Sequence, residues 1–487
     1  MGSQFDWLNL MPNSNKTNLI DKTIANLWKA WDELSSSTAH YISGRPRPDL
    51  PQDDLIKVMA EVADCIKGKS DEASLRAKAA AIGKIYLELN EDGRSKFLTA
   101  LAADFDVDRQ LVDEKIELVK NSSDNKTSRL RAEEELKIAL QPTWRVLLGR
   151  FTTLPDGVKF LVDMRTEMLS LVKTYPEIKI LSNDLRSMLS AWFDIGLLEL
   201  VQINWGSPAS LLEKLIAYES VHAIRSWNDL KNRLGPDRRC FGFFHPNMPH
   251  EPLIFVQVAL VEGISNNIDD LLDESKSNNK SIKADTAVFY SISNAQRGLD
   301  GISFGNFLIK TVVEKLSIET PNLRTFATLS PIPGFANWLN KQIESRQDNL
   351  LKQTEKKNLA KYTTHFTDAD ILKDLLPKLN DLEKGQQKQL FKELEPPLIR
   401  LAAEYICDNK SDRGRAIDPV AHFHLSNGAS VHRLNWAADT STKGKAQSFG
   451  LMVNYEYNLK EIQTNSSAYE VEKKVAASSI VKNILKK

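Results

Sequence analysis

The sequence predicts an α+β protein in two parts: an all-α, helical-bundle N-terminal half, then a half in which strands and helices alternate. Three observations carry that prediction. From Asp21 to about Trp192, apolar residues recur at three- and four-residue spacing with few β-branched runs. After about Ile195, short β-branched and aromatic runs take over, separated by helical patterns. The length of 487 residues accommodates two large domains, placed at 1–192 and 193–487.

In the first half, LRAKAAAIGKIYLEL (75–89), SKFLTALAADF (95–105), SRLRAEEELKIAL (128–140) and GVKFLVDMRTEMLSLVKTY (157–175) have helical periodicity. The polar joint NSSDNKTS (121–128) separates two of them, and Asp156-Gly157 marks a turn or helix start. In the second half, CFGFFHP (240–246), LIFVQVALV (253–261), TAVFYSIS (286–293) and LRTFATLS (323–330) are expected strands. Helices are expected over GNFLIKTVVEKL (305–316) and FANWLNKQIESR (335–346), with a charged helical insertion over about 350–408. HFHLSNGASVHRLNW (422–436) carries Asn427-Gly428 between alternating runs, a strong hairpin signal. A two-residue turn there sets His424 across from Val431 and His422 across from Arg433.

Lys plus Arg and Asp plus Glu each number 64, for a formal charge of zero. That balance argues against a nucleic-acid partner held by bulk phosphate neutralisation, while leaving room for a small anion met by a local patch. Hydrophobic content of 42% and charged content of 26% describe a folded chain. No stretch approaches the 18 or so uninterrupted apolar residues of a membrane span, so no membrane partner is expected. The opening residues MGSQFDWLNLMPNSNK lack a signal-peptide pattern, which makes the cytoplasm the expected location. Cys65, Cys240 and Cys407 lie far apart and give neither a disulfide framework nor a CxxC metal site, so reduced thiols are expected.

Four segments are candidates for chemistry. Gly298, Gly301 and Gly305 connect an expected strand to an expected helix, where backbone N–H groups favour an anion such as pyrophosphate. Their spacing matches no nucleotide fingerprint, so a plain glycine-rich turn is an equal reading. Ser330 ends a strand beside Pro331 and Pro333, as a substrate-holding hydroxyl or, more commonly, a cap. His422 and His424 share a face if extended; no third ligand stands at a recognisable spacing, so an acid–base or structural histidine is favoured over a metal site. The basic cluster Arg225, Lys231, Arg233, Arg238 and Arg239 is a phosphate contact or, more commonly, a solvated face.

The segments DFDVDRQLV, LPDGVKFLVDMR, LRSMLSAWFDIGLLEL, VHAIRSWNDLKNRLGPDRRC, GNFLIK, LSPIPGFANWL, RGRAIDPVAHFHLSNGA and FGLMVNYEY decide among these readings. Over roughly Phe97 to Tyr469 the chain resembles the malonyl-CoA decarboxylase family. The resemblance implies a helical N-terminal domain for scaffolding and self-association, as dimers or tetramers. It also implies a catalytic domain with the GNAT (N-acetyltransferase) fold. Asp300, Gly301, Ile302, Ser303, Phe304, Gly305 and Asn306 match the family loop that wraps the coenzyme A pyrophosphate with backbone N–H groups. The family pattern has Glu where this chain has Ser303, which leaves that position its backbone role. The family's catalytic serine, histidine and assisting tyrosine fall on Ser330, His424 and Tyr457.

The implied reaction takes malonyl-CoA to acetyl-CoA and CO2. The thioester itself is the electron sink, so neither a cofactor nor a metal is expected. Ser330 would orient the carboxylate and accept a proton, His424 would donate a proton to the enolate carbon, and Tyr457 would position them. Two rival classes are a GNAT-fold acyltransferase, which needs an acceptor amine, and a non-catalytic helical scaffold. Incubation with malonyl-CoA and no acceptor separates them.

Overall fold

The computed structural model describes residues 27–35, 45–68, 71–122, 125–274, 283–302, 307–347, 349–381 and 386–486. The chain divides into two compact units. The first comprises 1–198 together with two short excursions from the second half, 244–253 and 295–303. The second holds 199–243, 254–294 and 304–487.

The first unit is helical: α1 (27–35), α2 (Gln52–Lys67), α3 (Glu72–Glu88), α4 (Glu91–Asp104), α5 (Arg109–Asn121), α6 (Lys126–Ala139), α7 (Trp144–Phe151), α8 (Gly157–Leu171) and α9 (Ile178–Trp192). Asp71, Asn90, Asp108 and Asn125 start α3 to α6, each accepting backbone N–H groups of the first turn. The core stacks Trp31, Tyr86, Phe97, Phe151 and Phe160, all buried, in edge-to-face and stacked ring pairs. The Trp31 ring lies against Gly83, where a Cβ would stand 2.3 Å from a ring carbon, so only glycine admits it. Its indole N–H is satisfied by the Pro155 carbonyl at 2.9 Å.

The second unit runs β1 (Glu199–Ile203), α10 (Ala209–Tyr218), α11 (Trp227–Arg233), β2 (Arg238–Phe244), β3 (Ile254–Val261), α12 (Ile268–Leu272), β4 (Thr286–Asn294) and α13 (Phe307–Glu319). It continues with β5 (Thr325–Thr328), β6 (Ser330–Pro331), α14 (Phe335–Glu344), α15 (Gln353–Leu359), α16 (Asp368–Leu375), α17 (Gln386–Cys407) and α18 (Pro419–Ser426). It ends with β7 (Ser430–Asn435), α19 (Thr442–Ser448), β8 (Met452–Glu456), α20 (Ile462–Glu472) and α21 (Ser479–Leu485). The strands form one sheet ordered β1-β2-β3-β4-β5-β8-β6, with β7 also paired to β8. The expected α+β class is what the chain adopts.

Between β2 and β5 the ladder changes from antiparallel to parallel. β4 and β5 pair in parallel from Thr286↔Thr325 to Phe289↔Thr328, because the chain crosses over through α13. Beyond that point they part. Leu329 gives its N–H to the Phe289 carbonyl at 2.9 Å, and Ser330 then pairs with Val453 of β8. Pro331 is tolerated in β6 because, among the described residues, that short strand has a ladder partner only in β8.

The expected hairpin at 422–436 is not formed; residues 419–426 are helix α18 and only 430–435 is strand. Asp418 caps the helix, its carboxylate accepting the N–H groups of Val420 and Ala421 at 3.0 Å, and Pro419 occupies the first turn, where no N–H is needed. Asn427-Gly428 closes this helix instead of turning a hairpin. Gly428 has φ +80° and gives its N–H to the Leu425 carbonyl at 3.0 Å, a left-handed helix stop. A Cβ on Gly428 would also stand 2.1 Å from the Ile462 carbonyl oxygen. The cross-strand pairs of His424 with Val431 and His422 with Arg433 therefore do not exist.

Candidate active site

The point where β5 leaves β4 places Ser330 among buried side chains of the second unit. Ser330 Oγ donates to Thr328 Oγ1 at 2.8 Å and lies 3.0 Å from His424 Nε2. His424 Nδ1 in turn lies 2.8 Å from the Tyr457 hydroxyl. Helix α18 supplies the histidine, β6 the serine, and the residue after β8 the tyrosine. The imidazole stacks on Tyr455, ring centroids 4.5 Å apart. Ser330, His424, Tyr455 and Tyr457 are all buried.

Burial decides the charge state. Removal from water holds the His424 imidazole down to about 3, so it is neutral near pH 7, and the same cause pushes the Tyr457 phenol up. Proton placement follows by counting. A hydroxyl carries one proton, and that of Ser330 goes to Thr328, so the contact with Nε2 is accepted by Ser330 from an Nε2–H. A neutral ring with Nε2–H has a bare Nδ1, which accepts the Tyr457 hydroxyl proton. The protons thus run in one direction, Tyr457 to His424 to Ser330 to Thr328.

Asp418 ties the histidine helix to the serine loop. Buried at 1% exposure, its carboxylate caps α18 and also accepts the Gly334 N–H at 3.3 Å and the Tyr405 hydroxyl at 3.4 Å. Burial raises its carboxyl to about 6 against the pull of those donors. Asn454 anchors the strand side. Its amide donates to the carbonyls of Thr328 at 2.7 Å and Ser265 at 3.0 Å, while its oxygen accepts from Asn435 at 2.8 Å and from Arg433. Sequence reasoning missed both residues. For Asp418, the Asp-Pro step ahead of a helical pattern was a usable signal.

The glycine-rich segment begins in the first unit. Gly298 lets the backbone touch α8: a Cβ there would lie 1.8 Å from the Val162 carbonyl oxygen. Arg165, buried at 3% exposure, donates to the carbonyls of Gly298, of Asp300 at 2.9 Å and of Ser182 at 3.3 Å. Gly301 follows at φ +79°, with the Arg186 side chain nearby. Asp300, Gly301 and Ile302 are thus placed, whereas Ser303, Phe304, Gly305 and Asn306 lie outside the described residues.

The other candidates have structural duties. His422 Nδ1 meets the Tyr469 hydroxyl at 2.9 Å, away from His424. Arg233 is buried against Asp229 at 2.7 Å and the His222 carbonyl at 2.8 Å, and Arg238 pairs with Asp237 and the Leu271 carbonyl. Arg225 and Arg239 each face a carboxylate at 3.7 Å, those of Asp229 and Glu319, and Lys231 stands over the Trp205 ring. Arg233 and Arg238 are buried and hold the chain together, whereas Arg225 and Lys231 are exposed. The three cysteines are buried free thiols. Among the described residues, no group of three His, Cys, Asp or Glu side chains stands together to hold a metal ion, and no helix is long and apolar enough to cross a membrane.

Residues 196–487 match the family model described as "Malonyl-CoA decarboxylase C-terminal domain", and 105–193 that of the N-terminal domain. The chain belongs to the malonyl-CoA decarboxylase family. It is 39% identical over 402 residues to the mitochondrial malonyl-CoA decarboxylase of Anser anser anser, covering 80% of this chain and 79% of the relative. That of Rattus norvegicus is likewise 39% identical over 408 residues, covering 80% and 82%. The crystal structure of malonyl-CoA decarboxylase from Rhodopseudomonas palustris superposes with a TM-score of 0.80 at 39% identity, over 88% of this chain and 99% of that one. That from Agrobacterium vitis gives 0.75 at 38%, over 88% and 100%. One expectation is overturned: the curated relatives are named mitochondrial, so the cytoplasmic location inferred from the opening residues does not stand.

Proposed function

We propose that this chain is a carboxy-lyase that converts malonyl-CoA to acetyl-CoA and CO2, with Ser330, His424 and Tyr457 at the reacting centre. The single observation that carries the reading is the buried, one-directional chain of hydrogen bonds from Tyr457 through His424 to Ser330. Its chemistry suits the reaction. Malonyl-CoA loses CO2 as the C–C bond electrons pass onto the thioester oxygen, and the enolate carbon then takes one proton. The thioester is the electron sink, so the reaction asks the protein for orientation, a dry pocket and a proton.

Ser330 receives the substrate carboxylate by turning its O–H from Thr328 toward it. Loss of hydration favours departure of that carboxylate as neutral CO2. His424 gives its Nε2 proton to the enolate carbon, which is basic enough to draw a proton from a neutral imidazole. Tyr457 supports the ring as Nε2 gives up its proton, because its hydroxyl already donates to Nδ1 and stabilises the negative charge that develops. A proton from water restores the imidazole after the product leaves.

For coenzyme A itself, the reading assigns the backbone of 300–306 to the pyrophosphate. Its support is the backbone of 298–300, held by Arg165, and the left-handed turn at Gly301. Self-association through the helical half, as dimers or tetramers, belongs to the same proposal; exposed Leu130, Ile138 and Leu140 in and after α6 are apolar surface suited to it. The test is incubation of the protein with malonyl-CoA and no acceptor. Mass spectrometry should find acetyl-CoA and CO2 in equal amounts. Unchanged malonyl-CoA, or acyl transfer only when an amine is added, would overturn the reading.

A further inference from the structure

Thr328 touches no reacting atom in the steps above, yet its side chain is fully buried and bonded to the serine. It ends β5 at the last residue paired with β4. Its Oγ1 accepts the Tyr455 N–H at 3.1 Å, and its carbonyl accepts the Asn454 amide at 2.7 Å, so two adjacent residues of β8 fix its position. The Ser330 hydroxyl donates to this same Oγ1. Thr328 therefore holds the one proton that Ser330 could otherwise give to His424.

The consequence is a choice of tautomer. Were Ser330 to donate to Nε2, the neutral imidazole would carry its proton on Nδ1, aimed at Tyr457 and away from the serine. The Tyr457 hydroxyl proton would then lose the acceptor it has, which is unfavourable in a buried site. With Thr328 as acceptor, the protons of Tyr457, His424 and Ser330 each find a partner and Nε2 bears the hydrogen. We infer that Thr328 is a positioning residue: by accepting the Ser330 O–H it keeps His424 in the Nε2–H tautomer and holds the serine proton whenever no substrate carboxylate is bound. This inference rests on the assignment of Ser330 and His424 as reacting residues.

The test replaces Thr328 with valine, which keeps the shape and removes the acceptor, and with serine, which restores it. Thr328→Val should lower kcat by roughly 10- to 10³-fold with KM within about threefold, whereas Thr328→Ser should stay within about threefold of wild type; a wrong histidine tautomer alone is known to cost as much as ~10⁴-fold. Where valine does not fold, Thr328→Ala removes the same acceptor with less demand on space. Two readouts distinguish positioning from mere support. Nitrogen-15 spectra of histidine-labelled protein should report Nε2–H for His424 in wild type and Nδ1–H in Thr328→Val. In a Ser330→Ala background, Thr328→Val should add little, because its effect passes through the serine. A Thr328→Val enzyme with wild-type kcat, an unchanged tautomer, or an equal loss in both backgrounds would overturn the inference. Full turnover by Ser330→Ala would instead overturn the site assignment beneath it.

Discussion

The serine–histidine centre and the segment at 298–302 are built by opposite means. In the first, side chains bond one another: Tyr457, His424, Ser330 and Thr328 form a buried line of hydroxyls and an imidazole. In the second, one side chain bonds the backbone: Arg165 gathers the carbonyls of Gly298 and Asp300. A chain of titratable side chains can move protons; a backbone held in shape can present itself to an anion. The two regions should therefore fail differently, the first in turnover and the second in substrate affinity.

Ser330→Ala should break the comparison on the chemical side, lowering kcat by about 10²- to 10³-fold. Adding His424→Ala should cost little beyond the worse single variant, since residues acting as a unit are not additive. Steady-state kinetics on malonyl-CoA checks both. Asp418→Ala should follow, because it removes the cap of α18 and the tether to Gly334. A loss of ~2 kcal/mol, at ~2–4 °C per kcal/mol, lowers Tm by roughly 5 °C and carries kcat down with it. Thermal melts read the first and turnover the second.

Much of the architecture was legible beforehand. The helical first half and strands β2 to β5 fall where periodicity put them, because each element's apolar pattern matches its own period. The segment 419–426 was not legible for a physical reason. Asn-Gly serves a hairpin turn and a helix stop equally well, and the choice is made by Asp418 ahead of it and by the Ile462 carbonyl packed on Gly428. Ser330, on residue type alone, was a cap; family resemblance singled it out. Thr328 and Asn454 carried no local signal at all, since their partners lie over a hundred residues away or across a strand exit. Arg165 was equally silent: a lone arginine in an amphipathic helix reveals nothing of the carbonyls it will meet.

On the binding side, Arg165→Lys should sharpen the contrast. A lysine cannot reproduce a guanidinium that reaches three carbonyls. KM for malonyl-CoA should rise about 3- to 10-fold with kcat within about twofold. A change confined to kcat would contradict the division between the two regions.

The smallest effect is on stability against pH. His222 and His424 are both held down to about 3 by burial, and His245 and His422 shift the same way. Below about pH 6.5 the unfolded chain takes up protons that the native state refuses, so this contribution is complete above that pH and is lost as pH falls. Asp418, raised to about 6, acts oppositely: its contribution is present below about 3.8 and lost as pH rises through 6. His222 and His424, both held to about 3, carry the largest of these shifts, so Tm should be lower at pH 5 than at pH 7.5. His424→Gln should flatten that slope in melts across the range.

The central claim, that the buried imidazole supplies the proton for decarboxylation, is tested most directly by kcat and KM of His424→Ala on malonyl-CoA. A fall in kcat of about 10²- to 10⁴-fold with KM within about threefold is the expected result. Turnover within a few-fold of wild type would contradict it.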